Sequence, residues 1–183
     1  MKVRGQKVTL LKVSCLFIYY CFLRYLPSGA TPIIGKFFRY LRYQCCRHIF
    51  LYCGKNANIE RMAFFATGLN IELGENSSIG INALVPGDIK IGKNVMMGPN
   101  CYIFNTNHEF SRTDISMIEQ GHTPRKQNII EDDVWIGRQV IFTPGRTVKQ
   151  GSIIAAGTVL CKDFEPYSII GGNPSRLIRN RKM

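Results

Sequence analysis

The fold is decided by residues 73–103, which read LGENSSIGINALVPGDIKIGKNVMMGPNCYI. A large apolar residue recurs there at every sixth position, and the same step resumes after residue 129. This period matches neither the 3.6 residues of a helical turn nor the alternation of an ordinary strand. It predicts a repeat in which each short strand turns a corner before the next one begins. The positions that share this character are 73, 79, 85, 91, 97, 103, 130, 136, 142, 148, 154 and 160.

Each six-residue unit has the same internal order, as in LGENSS at 73–78 and IGKNVM at 91–96. The leading aliphatic residue would fill a narrow interior, the following glycine would let neighbouring backbones crowd, and a small or β-branched fifth residue would fit beside the corner. Three such strands per coil predict a triangular prism of stacked, parallel coils. The residues suited to its turns are Asn56, Asn76, Asn82 and Asn94.

Two interruptions break this repeat. The register shifts by two positions between Ile71 and Leu73, and residues 109–129 have no sixfold pattern at all. A long loop that leaves a rigid solenoid is commonly functional. His108 stands at the entrance of this loop.

Positive charge is concentrated at the N-terminus. The net charge is +12, but residues 1–52 contain nine lysine or arginine residues and no acidic residue, which leaves only +3 on the remainder. Such a basic, aromatic segment fits an anionic membrane surface or an acidic partner, and the sequence contains no nucleic-acid-binding motif.

The seven cysteines have no disulfide or zinc spacing and indicate a reducing compartment.

The N-terminal segment predicts two helices. The first apolar stretch is free of charge only over residues 13–23, about 16 Å of helix against roughly 30 Å of hydrocarbon, so a full membrane span is disfavoured. The second predicted helix begins near Ile33. Two interpretations stay open: the helices pack on the repeat domain or a partner subunit, or they lie on an acidic lipid surface. The apolar stripe of the second helix would contain Ile33, Phe37, Phe38, Leu41, Cys45 and Ile49.

Four strings then give a family resemblance: NTNH at 105–108, VWIG at 134–137, AGTVLCKD at 156–163 and GNPSRLIR at 172–179. In this order, residues 53–182 resemble the hexapeptide-repeat acyltransferases, in the branch of galactoside, maltose and surface-polysaccharide O-acetyltransferases. The resemblance implies an all-β solenoid, a left-handed parallel β-helix, with N-terminal helices (1–52), a repeat domain (53–172) and a short C-terminal helix or tail (173–183). It also implies a homotrimer, acetyl-CoA as donor, no metal ion, and active sites between subunits.

The resemblance makes His108 the candidate catalytic residue. A neutral imidazole can take the proton from an acceptor hydroxyl as that hydroxyl attacks a thioester carbonyl. Glu109, Asp114 or a backbone carbonyl would orient the ring. The donor positions carried over from the family, whose basic members suit the phosphates of coenzyme A, are Trp135, Arg138, Ala156, Cys161, Lys162, Arg176 and Arg179.

The acceptor side matches the family less well. Relatives use an asparagine and an aspartate before the histidine, but the asparagine position is Gly80 here, whereas Asp88 aligns with the aspartate. The substitution puts a galactoside or maltose acceptor in doubt. Candidate polar contacts to the acceptor are Asn82, Asp88, Asn107, Arg112 and Asp114.

The leading hypothesis is a cytoplasmic, acetyl-CoA-dependent O-acetyltransferase for a sugar hydroxyl in surface-polysaccharide or lipopolysaccharide synthesis. Its acceptor would be lipid-linked, and the enzyme would be peripheral on the inner face of the membrane. One alternative is a soluble acetyltransferase for an antibiotic, amino acid or free sugar. Another is a metal-dependent or non-enzymatic protein of the same fold. The zinc enzymes of this fold need three histidines, and only His108 and His122 lie at or beyond the repeat.

Overall fold

Apolar residues at every sixth position form the interior of a three-sided solenoid in the computed structural model, which describes residues 2–3 and 5–182. Its helices are α1 (Leu10–Cys21), α2 (Gly35–Ile49) and α3 (Met117–Gln120), with a 3₁₀ turn at Leu23–Tyr25. In chain order the strands are β1 (Lys2–Val3), β2 (Gln6–Lys7), β3 (Tyr52–Cys53), β4 (Asn58–Ile59), β5 (Glu72–Leu73), β6 (Ser78–Ile79), β7 (Lys90–Ile91), β8 (Met96–Met97), β9 (Tyr102–Ile103), β10 (Ile129–Ile130), β11 (Trp135–Ile136), β12 (Ile141–Phe142), β13 (Thr147–Val148), β14 (Ile153–Ile154), β15 (Val159–Leu160), β16 (Ser168–Gly171) and β17 (Arg176–Asn180).

The strands form three parallel faces. The first face contains β3, β5, β7, β10 and β13; the second contains β8, β11, β14 and β16 above the β4–β6 pair; and the third contains β9, β12 and β15. Leu73 pairs with Ile91, 18 positions later, which is three six-residue units. Over the described residues the chain makes five complete coils and part of a sixth. The predicted left-handed parallel β-helix is therefore confirmed.

The corners between faces fall where the sequence predicts them. All four asparagines assigned to turns have positive φ, each three positions after a leading apolar residue. Amide side chains stack along the corners: Asn76 donates to Asn94 at 3.2 Å, and Asn82 donates to Asn100 at 2.8 Å. We call the corner at Asn82 and Asn100, between the second and third faces, the second corner. The third corner lies between the third and first faces, at Asp88 and Asn105.

Glycine at the second position of the unit is required by close stacking of the coils. A Cβ atom on Gly74 would lie 2.2 Å from the carbonyl oxygen of Gly92 in the next coil. No side chain fits at that separation, so the backbones approach only because this residue has none.

The two interruptions of the repeat also have structural counterparts. Cys53 pairs with Leu73, 20 positions later, and the two additional residues are absorbed at a corner where Ala66 and Gly68 have positive φ. Ile91 pairs with Ile130, so residues between β9 and β10 leave the solenoid while the register continues.

The N-terminal helices close the open end of the first coil. Carbonyl groups of that coil have no coil below them, and side chains of α1, α2 and their connection donate to them instead. Arg39 donates to Asn56 at 2.9 Å, Tyr19 to Ala63 at 2.9 Å and Tyr20 to Ala66 at 2.7 Å. Terminal repeats of solenoids generally need such capping. Among the residues that the structure describes, no helix is both long and apolar enough to cross a membrane.

Arg42 is the central residue of this cap. Its side chain is 0% exposed, its Nε donates to Ile59 at 2.7 Å, and its Nη1 donates to Pro27 at 3.0 Å. Its Nη2 lies 3.7 Å from a carboxylate oxygen of Glu60. Burial lowers the pKa of Arg42, and the Glu60 charge offsets part of that effect. Burial raises the pKa of Glu60, but hydrogen bonds, above all from Asn58, outweigh it and leave this pKa lowered.

The apolar stripe predicted for the second helix is wrong in part. Cys45 and Ile49 are buried as expected, but Ile33 is fully exposed and Phe37 is 59% exposed. Arg42 is buried in their place because the first coil presents carbonyl oxygens, which need donors, to this face of α2.

The predicted C-terminal helix is wrong. Residues 176–180 form β17, which runs antiparallel to β16 at the end of the second face. Asn173 and Pro174, which precede β17, are joined by a cis peptide bond. The exposed edge of β16 offers unpaired backbone groups, and a strand satisfies them where a helix would not.

Substitution of Arg42 tests the cap. Arg42→Ala removes the cation beside Glu60 and leaves buried carbonyl groups without their donor, and we expect it to lower the free energy of unfolding by about 3–5 kcal/mol, measured by chemical denaturation. The matched control is Arg47→Ala, which truncates an exposed arginine of the same helix and should change that energy by less than about 0.5 kcal/mol. Equal effects of the two substitutions would contradict the capping role.

Candidate active site

His108 leaves the solenoid at the third corner, just after β9. Residues 105–109 run antiparallel to residues 121–126, and the two segments form the base of an arm that replaces one corner turn. Lys126 donates its backbone N–H to Asn105 at 2.7 Å, Thr123 donates to Asn107 at 2.9 Å, and Glu109 donates to Gly121 at 3.1 Å. The arm therefore holds His108 on a paired backbone and not on a free loop.

The base of the arm brings a second imidazole to the first. His108 and His122 form a β-bridge, and their ring centroids are 4.4 Å apart with an angle of 34° between the planes. Both side chains are exposed. His108 thus faces solvent at the surface of the solenoid, where an acceptor can reach it.

The asparagines beside His108 fix its backbone. Asn107 accepts the N–H of His108 at its side-chain oxygen, 3.0 Å away. Asn105 donates from its amide nitrogen to both carboxylate oxygens of Asp88, at 2.9 and 3.1 Å. Gln127, from the returning segment, donates to the backbone carbonyl of Asp88 at 2.7 Å. Asp88 and Asn107, two of the predicted acceptor contacts, therefore lie on the same corner as His108.

The outer part of the arm folds on itself. Arg112 donates from Nε to Asp114 at 3.0 Å, and this partner lowers the pKa of Asp114. Ser116 and Glu119 form a capping box on α3. Arg112 and Asp114, predicted to contact the acceptor, instead pair with each other within this chain. The exposed apolar side chains here are Phe110, Met117 and Ile118.

A cavity of about 470 Å³ lies along the second corner, across three coils. Trp135, Arg138 and Ala156, all predicted donor residues, line it together with Gly98 and Pro99. Trp135 is 51% exposed on β11, so its ring forms a wall of this cavity and is not part of the interior. The walls are mainly apolar, and Arg138 supplies a positive charge.

The other predicted donor residues lie outside this cavity. Cys161 and Lys162 follow β15 at the third corner, and the Lys162 ammonium lies 5.4 Å from the Phe164 ring. The Ser175 hydroxyl contacts the Cys161 thiol at 3.3 Å and lowers its pKa. Arg176 and Arg179 are exposed on β17, at the end of the second face.

His108 and the cavity are separated by the third face of the same chain. Gly98 lies at the second corner and Phe104 lies near the third, six positions later. Six residues of extended chain span at most about 20 Å, so this is the upper limit of the distance between their Cα atoms. Both belong to the third coil, so the two parts of the predicted site lie at one level of the solenoid on different corners. Asn82 lies on the second corner as well, where its amide donates to Asn100 at 2.8 Å. One chain therefore does not bring the predicted site residues together.

Sequence reasoning missed two residues of this region. Asn105 belongs to the NTNH string but is not predicted as a site residue, although it is the partner of Asp88. His122 was considered only as a metal ligand, whereas its ring lies against His108. Their shared signal is position, since Asn105 lies just before the interruption of the repeat and His122 lies within it. Within the described part of the chain, no three His, Cys, Asp or Glu side chains gather closely enough to hold a metal ion.

Comparisons with known proteins agree with this architecture. Residues 70–105 match the family described as bacterial transferase hexapeptide (six repeats), and residues 127–162 match the hexapeptide repeat of succinyl-transferase. Galactoside O-acetyltransferase of Escherichia coli K12 is 31% identical over 140 residues, which are 75% of this chain and 68% of that protein.

Two solved structures share the fold over nearly the whole chain. A maltose O-acetyltransferase from Clostridium difficile 630 is 30% identical, with a TM-score of 0.72, and the match covers 94% of this chain and 89% of that one. A galactoside acetyltransferase in complex with coenzyme A is 27% identical, with a TM-score of 0.74, over 93% of this chain and 80% of that one.

Removal of one hydroxyl tests the base of the arm. The Thr123 hydroxyl accepts the Asn107 N–H at 3.0 Å, so Thr123→Val leaves that donor unpaired. A lost hydrogen bond of about 1 kcal/mol predicts roughly fivefold faster amide exchange over residues 106–109, measured by hydrogen–deuterium exchange. Thr113→Val, at the exposed outer part of the arm, is the control and should leave those amides unchanged. Unaltered exchange in Thr123→Val would show that the arm is held by other contacts.

Proposed function

Because the chain belongs to the hexapeptide-repeat acetyltransferase family, we propose that it transfers an acetyl group from acetyl-CoA to a sugar hydroxyl during surface-polysaccharide or lipopolysaccharide assembly. The observation that carries this proposal is an exposed histidine held on a paired backbone at the level of an apolar, cation-bearing cavity. Sugar acetyltransferases among the similar proteins support the acceptor class.

The second-corner cavity fits the donor. Trp135 and the apolar corner atoms suit a narrow thiol arm, and Arg138 suits a phosphate oxygen. Lys162, Arg176 and Arg179 are exposed cations that would meet the remaining phosphates from a neighbouring chain. Acetyl-CoA would supply the acetyl group as a thioester.

His108 would act as the general base. Its neutral ring nitrogen accepts the proton of the acceptor hydroxyl while that oxygen forms a bond to the acetyl carbon, and the same proton then passes to the departing thiolate. The ring needs a fixed direction for this, and the His122 ring at 4.4 Å and the bridged backbone restrict it. Asp88 and Asn107 lie beside it to bind sugar hydroxyls.

A homotrimer would complete the site. His108 is on the third corner and the cavity is on the second, so a side-by-side neighbour rotated about a parallel axis would bring one chain's histidine to the next chain's cavity. The exposed apolar residues of the arm, among them Ile118, would be covered by that neighbour. Three copies close this arrangement into a ring.

The role of His108 is tested by replacing it. General-base catalysis is typically worth about 10²–10⁴ in rate, so His108→Ala should lower kcat by at least a hundredfold in a thiol-release assay with acetyl-CoA and a saccharide acceptor. The variant should keep its oligomeric mass because the side chain is exposed. His48→Ala, which removes an exposed histidine of α2, is the control and should retain wild-type turnover.

Two outcomes would contradict the proposal. Turnover of His108→Ala within threefold of the wild type would remove the histidine from the chemistry. In an acceptor panel, faster acetylation of an antibiotic or an amino acid than of any saccharide would replace the sugar with a small-molecule acceptor.

A further inference from the structure

The outward side of α1 is mostly apolar, with Ser14 as an exposed polar residue. Its inner side packs on the first coil through Cys15 and Tyr19, yet large apolar side chains also face solvent, with Leu10 84% and Phe17 63% exposed. The one charged residue of α1 is Lys12, which is half-buried. The exposed apolar residues of α1 and of the turn that follows it are Leu10, Leu11, Val13, Phe17, Ile18, Phe22 and Tyr25.

The start of α2 adds apolar and basic side chains next to one another. Ile33, Ile34, Phe37 and Tyr40 are exposed there. Beside Tyr40 lies a cavity of about 620 Å³, which we call the basic cavity. Its cationic lining residues are Lys36, Arg39 and Lys55, and its described lining contains no acidic side chain.

We propose that this outward side of α1 and α2 docks on an anionic membrane surface. The apolar side chains would enter the boundary between headgroups and acyl chains, and the basic cavity would receive lipid phosphate. The twelve residues of α1 extend about 18 Å, enough to lie along a surface. An exposed apolar helix face with flanking cations and no acidic residue is the pattern of an interfacial helix.

Charge favours a lipid surface over a protein partner of mixed charge. Residues 1–52 contain nine lysine or arginine residues and no acidic residue. Each basic residue near an anionic leaflet contributes about 1 kcal/mol of attraction, which falls with ionic strength.

The position of the helices favours a membrane over the side of another subunit. Tyr19 and Phe50 pack on Phe65, inside the first coil, so the helices lie across the end of the prism and not along a face. The proposed trimer joins chains through their corners, which leaves the ends free. Three copies with parallel axes would then present three apolar faces at one end of the assembly, and simultaneous contacts strengthen weak individual ones.

This docking extends the proposed function. The orientation of three apolar faces toward one membrane rests on the homotrimer proposed there. An acceptor saccharide joined to a lipid carrier is confined to the membrane surface. A prism standing on that surface would hold His108, in the third coil, at a fixed height above it. The substrate class implied is therefore a lipid-linked saccharide, and not a free sugar.

Vesicle flotation tests the docking without any catalysis. Full-length protein is mixed with phosphatidylcholine vesicles, with or without 30 mol% phosphatidylglycerol, and floated in a density gradient. We expect the protein to float with the anionic vesicles and to be released by high salt. Phe17→Glu/Ile18→Glu places charge on the apolar face and should reduce the bound fraction at least tenfold. Lys36→Glu/Lys55→Glu should reduce it on anionic vesicles in the same way.

The opposite end of the chain provides matched controls. Leu177→Glu/Ile178→Glu changes an adjacent exposed apolar pair on β17, and Arg179→Glu/Lys182→Glu makes the same charge change there. Both should float like the wild type. Light scattering measures whether the helix variants keep the oligomeric mass of the wild type. A thermal melt measures whether they keep its fold.

Three results would overturn the docking. The first is protein that stays at the bottom with anionic vesicles, and the second is helix variants that float as well as the wild type. The third is loss of oligomeric mass in Phe17→Glu/Ile18→Glu, which would make this face a contact between copies. None of these readouts depends on acetyl transfer, so an inactive enzyme that floats would refute the proposed function and leave the docking intact.

Discussion

Parallel hydrogen bonding between successive coils is the constraint on which the structure depends. Ile91 must lie above Leu73 and below Ile130, so each coil has to return to the same face after three corners. Additional residues are tolerated only where they leave the register untouched, at the corner near Gly68 and in the arm after Ile103. The same bonding leaves the first coil with unpaired carbonyl groups, and Arg42 with its neighbours satisfies them.

Rigidity of this kind also divides the candidate site. His108 and the Trp135 cavity are held at different corners of a stiff prism, and the third face of the same chain lies between them. Chemistry that needs both is therefore linked to association. The N-terminal helices are fixed in the same way. Because they are held against the end of the prism, the direction in which their apolar outer side faces is also fixed.

The sequence predicts the features that repeat and misses those that arise from stacking. A period of six predicts the interior residues, the corner asparagines and the point near His108 at which the chain leaves the solenoid, because each depends on local spacing. Burial of Arg42 has no local signal, since its carbonyl partners, Pro27 and Ile59, lie 15 residues before it and 17 residues after it. The strand at 176–180 is not predicted, because the edge of β16 with which it pairs exists only in the folded chain. The pairing of Asn105 with Asp88 likewise joins residues 17 positions apart.

We propose that a working site takes its histidine from one chain and its donor cavity from the next, and trimers assembled from two variants would measure this sharing. His108→Ala chains and Ala156→Trp chains, the latter with a filled cavity, carry different tags and are assembled together. Each variant alone should be inactive, whereas random mixing leaves about a quarter of the sites with both intact parts and should restore roughly that share of wild-type turnover. A mixed preparation no more active than its components would contradict a site shared between chains.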